Sequence, residues 1–323
     1  MILVAGLSPA WQQIAQLERL QLGGVNRAQA VHWCASGKVL NVGLALQRLL
    51  QSTDGAADVQ VVSVAGGPAG EELRAGCARH RLPVEWIATR APTRVCTTLL
   101  DAESGRTTEV VENARPIEPA ELAAFEQAFV RWARYASVVV LAGSFPAGTP
   151  VDFYARLMRQ TRATIIVDAQ GPPLLACLAE RPAVIKPNRE EFARTMGTSI
   201  DTADQFGGAL ADCHARGAQG IVITGGAGPV VVSTPGRIQE LQPPAVPVVN
   251  PIGSGDCLAA GLAWGLARGW SLVDSTRWGV AAAADNVAQL LPADIDRVRV
   301  GQLWNQVTCL SHPSASTATA SNA

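Results

Sequence analysis

The sequence predicts an α/β fold with a largely parallel central sheet covered by helices on both faces. Three observations carry that expectation. Short aliphatic runs closed by glycine recur along the chain, stretches with helical periodicity separate most of them, and 323 residues that are 48% hydrophobic can bury a sizeable core. Parallel neighbours need crossovers of a dozen or more residues, and those helices supply them.

Met1 to Gly6 reads as the first buried strand, and residues 8 to 35, with Gly23-Gly24 and no helical stripe, read as short strands outside the main sheet. Val39, Val42, Leu46 and Leu49 mark one face of a helix. A strand over Val59 to Val64 leads through Gly66-Gly-Pro-Ala-Gly70 to a helix over Glu71 to His80. Residues 84 to 113 then break the rhythm. Val84 to Ile87, Thr93 to Leu100 and Thr107 to Val111 are β-rich, and with residues 8 to 35 they predict a small accessory sheet. Alternation resumes with a helix from 118 to about Tyr135 and strands over Ser137 to Ala142, Thr164 to Asp168, Ala183 to Lys186 and Gly220 to Thr224. Helices fall between them, after Thr149 and from Pro172, Asn188 and Asp201. Val230 to Ser233 and Arg237 to Leu241 read as an edge hairpin, and three helices start near Gly253, Ser271 and Val298. The run Ser311 to Ala323, mostly Ser, Ala and Thr, predicts a disordered tail after a single domain over 1–310.

Composition narrows the partners. The net charge is −1 with Lys and Arg scattered, which predicts neither nucleic-acid nor membrane binding and leaves small molecules. Seven cysteines lie far apart with only four histidines, so neither a disulfide framework nor a zinc site is expected. With no basic leader and no apolar stretch of about 18 residues, the expected location is the cytoplasm.

In an open parallel sheet, ligands bind beyond the carboxyl ends of the strands, and five motifs fall there. They are Gly143-Ser-Phe-Pro-Ala-Gly148, Asp168-Ala-Gln-Gly171, Lys186-Pro-Asn188 with Glu191, Thr224-Gly225-Gly226-Ala-Gly228, and Asn250-Pro-Ile-Gly-Ser-Gly-Asp256. The last is the most informative. A helix starting at Gly253 aims unpaired amides and a positive dipole end forward, while Gly253 and Gly255 around Ser254 admit an anion and Asp256 places a carboxylate beside it. An ordinary helix start capped by Asn250 or Ser254 is the plainer alternative. A dinucleotide or P-loop fingerprint is excluded, because no third glycine and no Gly-Lys-Ser/Thr follows. Asn188 with Glu191 reads locally as a capping box, or as an outer-sphere magnesium site with Lys186 reaching a phosphate. The Gly225–Gly228 run is equally a flexible turn or a nucleotide-lining loop.

Taken together, these motifs resemble the PfkB family of ribokinase-like carbohydrate kinases, from about residue 1 to 308. Val25-Asn-Arg27, Asn41-Val, Thr93-Arg94, Thr108-Glu109, Gly143-Ser-Phe-Pro-Ala-Gly148 and Lys186-Pro-Asn188 resemble its 1-phosphofructokinase and tagatose-6-phosphate kinase branch. The resemblance implies a three-layer α/β/α fold with a β lid and a phosphotransferase using ATP and Mg²⁺. Asp256 would be the base, and Gly253, Ser254 and Gly255 the anion hole. Lys186, Asn188, Thr224, Gly225, Gly226, Gly228 and Asn286 would lie on the nucleotide side, with Glu191 and Asn188 at the metal. Gln12, Arg27, Gly37, Lys38, Asn41, Arg94 and Ser144 would face the acceptor, and the lid is a candidate homodimer surface.

The acceptor side departs from the family pattern. The usual Asn-Pro-Ala-x-Asp is Ser8-Pro-Ala-Trp-Gln12, Gly-Gly-Lys-Gly is Ser36-Gly-Lys-Val39, and a Thr or Ser in the anion-hole stretch is Pro251. Three readings therefore stand: a kinase for a phosphorylated ketose, a kinase for an unphosphorylated sugar or nucleoside, and a catalytically silent sugar or nucleotide sensor.

Overall fold

The structure is a computed structural model that describes residues 1–50 and 58–310. The expected polar tail lies outside the described residues. In chain order the elements are β1 (Ile2–Ala5), β2 (Ala10–Leu17), β3 (Ala30–Ser36), α1 (Lys38–Leu50), β4 (Val59–Ala65), α2 (Gly67–Arg79), β5 (Val84–Ala88), β6 (Arg94–Asp101) and β7 (Thr107–Val111). Then come α3 (Pro119–Ala133), β8 (Val138–Ala142), α4 (Phe153–Met158), β9 (Thr164–Asp168), α5 (Gly171–Leu178), β10 (Val184–Ile185), α6 (Arg189–Met196) and α7 (Ala203–Ala215). The chain closes with β11 (Ile221–Ile223), β12 (Val230–Thr234), β13 (Arg237–Gln242), α8 (Ser254–Leu266), α9 (Leu272–Val287), α10 (Arg297–Trp304) and β14 (Thr308–Leu310).

Among the described residues the main sheet runs β14-β13-β12-β11-β10-β9-β8-β1-β4-β5, and a second sheet runs β3-β2-β6-β7. From β11 through β5 every pair in the main sheet is parallel, with Ile2 of β1 opposite both Val59 and Val138. The period of two sends alternate residues to opposite faces. Ile2 and Val4 enter one core with α1, α8 and α9, while Leu3 and Ala5 enter another with α3, α4 and α5. Three layers result, as the sequence predicts.

Three details differ from expectation. Val84 to Ile87 belongs to the main sheet rather than the lid, because α2 provides a crossover that returns β5 parallel to β4, Val84 opposite Val61. As an edge strand, half-buried at Glu85 and Trp86, β5 has a mixed composition that mimics the lid strands. Helix α2 begins at Gly67, earlier than Glu71, since Pro68 is well placed in a first turn where its missing N–H is no loss. The hairpin of β12 and β13 is not the edge, because β14 pairs with β13.

Helix α8 is the structural axis. Its residues from Asp256 through Gly265 are all buried, and it packs on α1 and α9. The α8–α9 approach is backbone on backbone: a Cβ at Gly261 would lie 2.6 Å from the Gly279 Cα. At its far end Trp264 stacks on Trp278 with ring centroids 4.9 Å apart, and the Arg268 guanidinium sits 3.6 Å from the Trp264 ring centroid. Gly261→Ala is expected to destabilise the protein by about 1–3 kcal/mol through overpacking, read as a lower urea midpoint at an unchanged m-value. An unchanged midpoint would contradict the close helix crossing.

Candidate active site

The loop before α8 is shaped by two buried amides. Asn250 donates from Nδ2 to the Leu290 carbonyl at 2.8 Å and accepts the Ile252 N–H at 3.1 Å. Asn286, on α9, donates to the Ile252 carbonyl at 2.9 Å and accepts the Ala293 N–H at 2.7 Å. The loop ends at Gly253 with φ +81°, a left-handed conformation that L side chains rarely adopt, and a Cβ there would meet Pro292 at 2.8 Å. The amide of Ser254 donates back to the Pro251 carbonyl at 3.2 Å, and that of Asp256 to Gly253 at 3.1 Å. Among the described residues the amides of Gly253 and Gly255 have no protein acceptor. The anion turn therefore offers two unpaired donors, and the Ser254 amide expected among them is taken.

Asp256, in the first turn of α8, is 8% exposed. Its Oδ2 accepts from Asn41 Nδ2 on α1 at 2.7 Å. Burial lifts its pKa from the ordinary 3.8 to about 6, the charge of Asp168 adds to the lift, and the Asn41 bond with Lys38 and Lys186 opposes it. Asn41 Oδ1 is buried without a partner.

Asp168, ending β9, is fully buried between two ammonium groups. Lys38 Nζ lies 2.9 Å from its Oδ1 and Lys186 Nζ 2.9 Å from its Oδ2. Burial alone would raise its pKa, but the two lysines more than offset this and hold the carboxyl below the ordinary range. Burial pulls Lys38 down, yet Asp168 and Glu191, whose Oε1 is 3.3 Å away, keep its pKa above the ordinary value. Lys186 Nζ stands 3.7 Å from where a Cβ of Gly255 would be, so it abuts the anion turn.

Asn188 caps α6 with the full reciprocal box, its Oδ1 accepting the Glu191 N–H at 2.8 Å and Glu191 Oε2 accepting the Asn188 N–H at 2.9 Å. The capping reading thus holds, with the Lys38 contact added to it. The Arg189 N–H donates to the Thr224 carbonyl at 2.9 Å, which brings Asn188 beside the glycine turn. Gly225, Gly226 and Gly228 form that turn between β11 and β12, its tip exposed. Among the described residues, no group of three or more acidic, His or Cys side chains is placed to cage a metal ion. Both Glu191 oxygens already accept bonds, so Glu191 and Asn188 fit magnesium only through its retained waters.

The acceptor-side residues divide. Ser8, Lys38, Arg94, Ser144 and Phe145 line one concavity of about 200 Å³. Arg94 donates to the carbonyls of Ser8, Pro9 and Glu112 at 3.0, 3.3 and 3.1 Å, and Ser144 Oγ lies 3.1 Å from Ser8 Oγ. Gly37 leads into α1 at φ +87°, where a Cβ would strike Pro9 at 2.9 Å. Val39 packs into the core against Gly6, so its Cβ does not stand in the ligand space. Gln12 is buried in the lid, donating to Thr98 Oγ1 at 2.8 Å. Arg27 sits exposed on the β2–β3 loop and, like Gln12, Gly37 and Asn41, does not line that concavity.

Two roles emerge that the residue types did not disclose. Asn286 is buried and its amide bonds to the Ile252 carbonyl of the anion loop and to the Ala293 N–H. Asp168 has no role in the sequence reading beyond its motif, although a carboxylate closing an apolar strand in such a sheet was the available signal.

Residues 8–294 match the pfkB family of carbohydrate kinases. Among solved structures, Escherichia coli phosphofructokinase-2 in complex with substrates and products is similar with a TM-score of 0.85 at 22% identity, covering 94% of this chain and 98% of that one. A possible 1-phosphofructokinase from Thermotoga maritima has a TM-score of 0.85 at 18% identity, covering 96% and 99%. Ribokinase from Thermotoga maritima has a TM-score of 0.74 at 16% identity, covering 94% and 99%. These likenesses establish the ribokinase-like fold, and the match over 8–294 establishes that the chain belongs to the pfkB family of carbohydrate kinases, phosphotransferases with an alcohol acceptor.

Proposed function

We propose that the protein transfers the γ-phosphoryl group of ATP to a hydroxyl of a phosphorylated ketose, of the fructose 1-phosphate or tagatose 6-phosphate type, giving a sugar bisphosphate and ADP. One juxtaposition carries this reading. A buried carboxylate, Asp256, stands in the same helical turn as the free amide of Gly255, with Lys186 against that turn and Lys38 and Arg94 in the adjoining concavity. That E. coli phosphofructokinase-2 is also known in complex with fructose-6-phosphate supports the substrate class.

Asp256 takes the proton of the acceptor hydroxyl as it attacks. Its Oδ2 is held by Asn41, which leaves Oδ1 for that proton, and a pKa of about 6 makes it a stronger base than an ordinary carboxylate while keeping it ionised at neutral pH. The free amides of Gly253 and Gly255 and the Lys186 ammonium stabilise the charge on the phosphoryl oxygens. Phosphoryl transfer is mainly alignment and charge stabilisation, with a base worth about 10²- to 10⁴-fold and one oxyanion donor about 10²- to 10³-fold. Asn41 Oδ1, buried and unpaired, is left to accept from the acceptor. Magnesium, held through water by Glu191 and Asn188, would neutralise the nucleotide phosphates.

The reading includes a homodimer through the lid, where Val31 and Trp33 of β3 and Val110 of β7 share one sheet face and remain exposed. It also includes a cytoplasmic location, in keeping with seven unpaired thiols. Among the described residues, no helix is long and apolar enough to cross a membrane.

Asp256→Asn should lower kcat by at least ~10²-fold with fructose 1-phosphate, fructose 6-phosphate or tagatose 6-phosphate as acceptor; wild-type turnover no higher than the variant's would sink the kinase reading. In the wild type, kcat/KM should fall tenfold per pH unit below about pH 6, as Asp256 gains the proton it must accept. An acid limb near pH 4 would rule out the buried base. Stability should move the other way: a carboxyl raised above its unfolded 3.8 stabilises below that pH and loses the contribution as pH rises through about 6. At pH 8 the Asn variant should therefore be more stable than wild type, by up to ~3 kcal/mol. Arg94→Ala should raise KM for phosphorylated acceptors by at least ~10-fold, about the worth of one charge-assisted contact. An equal loss with an unphosphorylated sugar would favour the unphosphorylated class instead.

A further inference from the structure

We propose that Asp168 is a positioning residue for phosphoryl transfer, a single buried anion that spaces one lysine on the acceptor side and one on the nucleotide side across the reaction axis. The proposal rests on the kinase reading above and extends it. Lys38 opens α1 and lines the concavity shared with Arg94 and Ser144. Lys186 follows β10, beside the Asn188–Thr224 bridge, and abuts Gly255. These two cations lie 148 positions apart in the sequence and meet at the carboxylate of Asp168, 2.9 Å from it on each side.

The backbone makes this spacing rigid. The Lys186 N–H donates to the Val167 carbonyl at 2.9 Å, and the Gly143 N–H to the Asp168 carbonyl at 3.0 Å, so the tips of β8, β9 and β10 are tied together around the anion. An ammonium has three N–H donors. Lys186 is held to Asp168 Oδ2 as an ion pair at 2.9 Å, while Lys38 donates one N–H to Asp168 Oδ1 and one to Glu191 Oε1 and keeps a third. Both lysines can therefore reach phosphate oxygens without leaving the anchor. A lone lysine on a flexible stem would lose rotamer freedom when it bound, whereas these two are already fixed.

A fully buried carboxylate flanked by two ammoniums contributes little net stability, because the desolvation cost consumes most of the attraction. Its value lies in geometry. As the phosphoryl group leaves the nucleotide for the acceptor, negative charge passes from the neighbourhood of Lys186 toward that of Lys38, and a fixed distance between them keeps both stabilising throughout. Asp168 touches neither substrate in this arrangement and acts through the lysines alone.

The test is steady-state kinetics of Asp168→Asn and Asp168→Glu with ATP and whichever of fructose 1-phosphate, fructose 6-phosphate and tagatose 6-phosphate the wild type phosphorylates. Asn removes the anchoring charge, and Glu keeps it while displacing it by one methylene. With the fold verified by near-ultraviolet circular dichroism, kcat should fall about 10²-fold for Asn and at least ~10-fold for Glu, both KM values staying within about threefold, since misplacement by an ångström weakens the transition state more than binding. A kcat within threefold of wild type in a folded variant overturns the proposal. So does a rise in one KM alone, which would make Asp168 a binding residue for that substrate, and so does loss of the folded state in both variants, which would make it structural. A wild type that phosphorylates none of the three sugars removes the kinase reading for this substrate class, and this proposal with it.

Discussion

The site depends on where the first turn of α8 is held. Asp256 and the two free amides belong to one rigid turn, so any tilt of the helix moves carboxylate and amides together relative to Lys38 and Lys186. Three contacts prevent that tilt. Asn41 ties the carboxylate to α1 at 2.7 Å, the Gly261–Gly279 approach locks α8 to α9 without intervening side chains, and Asn286 fixes the loop that delivers Gly253. An arrangement of this kind trades side-chain burial for backbone precision, because glycine contributes no apolar area but lets helix axes approach closely. The aromatic cluster of Trp264, Trp270, Trp278 and Trp304 restores burial at the opposite end of the helix.

Electrostatics explains why the buried charges persist. Lys38, Lys186, Asp168 and Glu191 sum to zero, and Asp256 adds one negative charge when ionised. Every ionised group has a partner of opposite sign or a hydrogen bond, as burial in a low dielectric requires. The surplus negative charge sits on Asp256, whose pKa is raised by burial and, after that, by the charge of Asp168. In the proposed reaction an incoming anionic phosphate would be met by the two ammonium groups and the free amides, donors already in place rather than reorganised water.

Much of this was legible in the sequence because its signals were local. Buried strands closed by glycine announced the sheet, and Gly253-Ser-Gly-Asp256 announced an anion turn with a carboxylate beside it, since helix ends and left-handed glycines are properties of a few consecutive residues. What could not be read were relations between distant segments. The pairing of Val84 with Val61 depends on a crossover, so β5 looked like one more lid strand. The bridging role of Asp168 requires residues 38 and 186 to meet, 148 positions apart. Asn286's part in shaping the loop could not be read because a buried amide that shapes a loop and one that faces a ligand are identical as letters. Arg27 poses the opposite difficulty: a cation in a loop has no local signal for which way it points. Ser254 shows the finest limit, since whether its amide is free depends on one turn hydrogen bond to Pro251.

Two of the departures from the family pattern, Val39 and Gln12, have different structural consequences. Val39 is absorbed by the core, and its extra atoms fill space beside Gly6 rather than ligand space. Gln12 is not absorbed in the same way. It replaces a carboxylate by a neutral amide that donates to Thr98 in the lid, which removes a negative charge from the acceptor side without adding a positive one. The concavity lined by Lys38 and Arg94 has no acidic residue in its wall. Lys38 is balanced by Asp168 and Glu191 behind it, whereas Arg94 makes its bonds to backbone carbonyls, with the Glu109 carboxyl near enough to feel its charge. Gln12 does not itself line that concavity, so the case for an acceptor that carries its own anion rests on the two cations in its wall, Lys38 and Arg94.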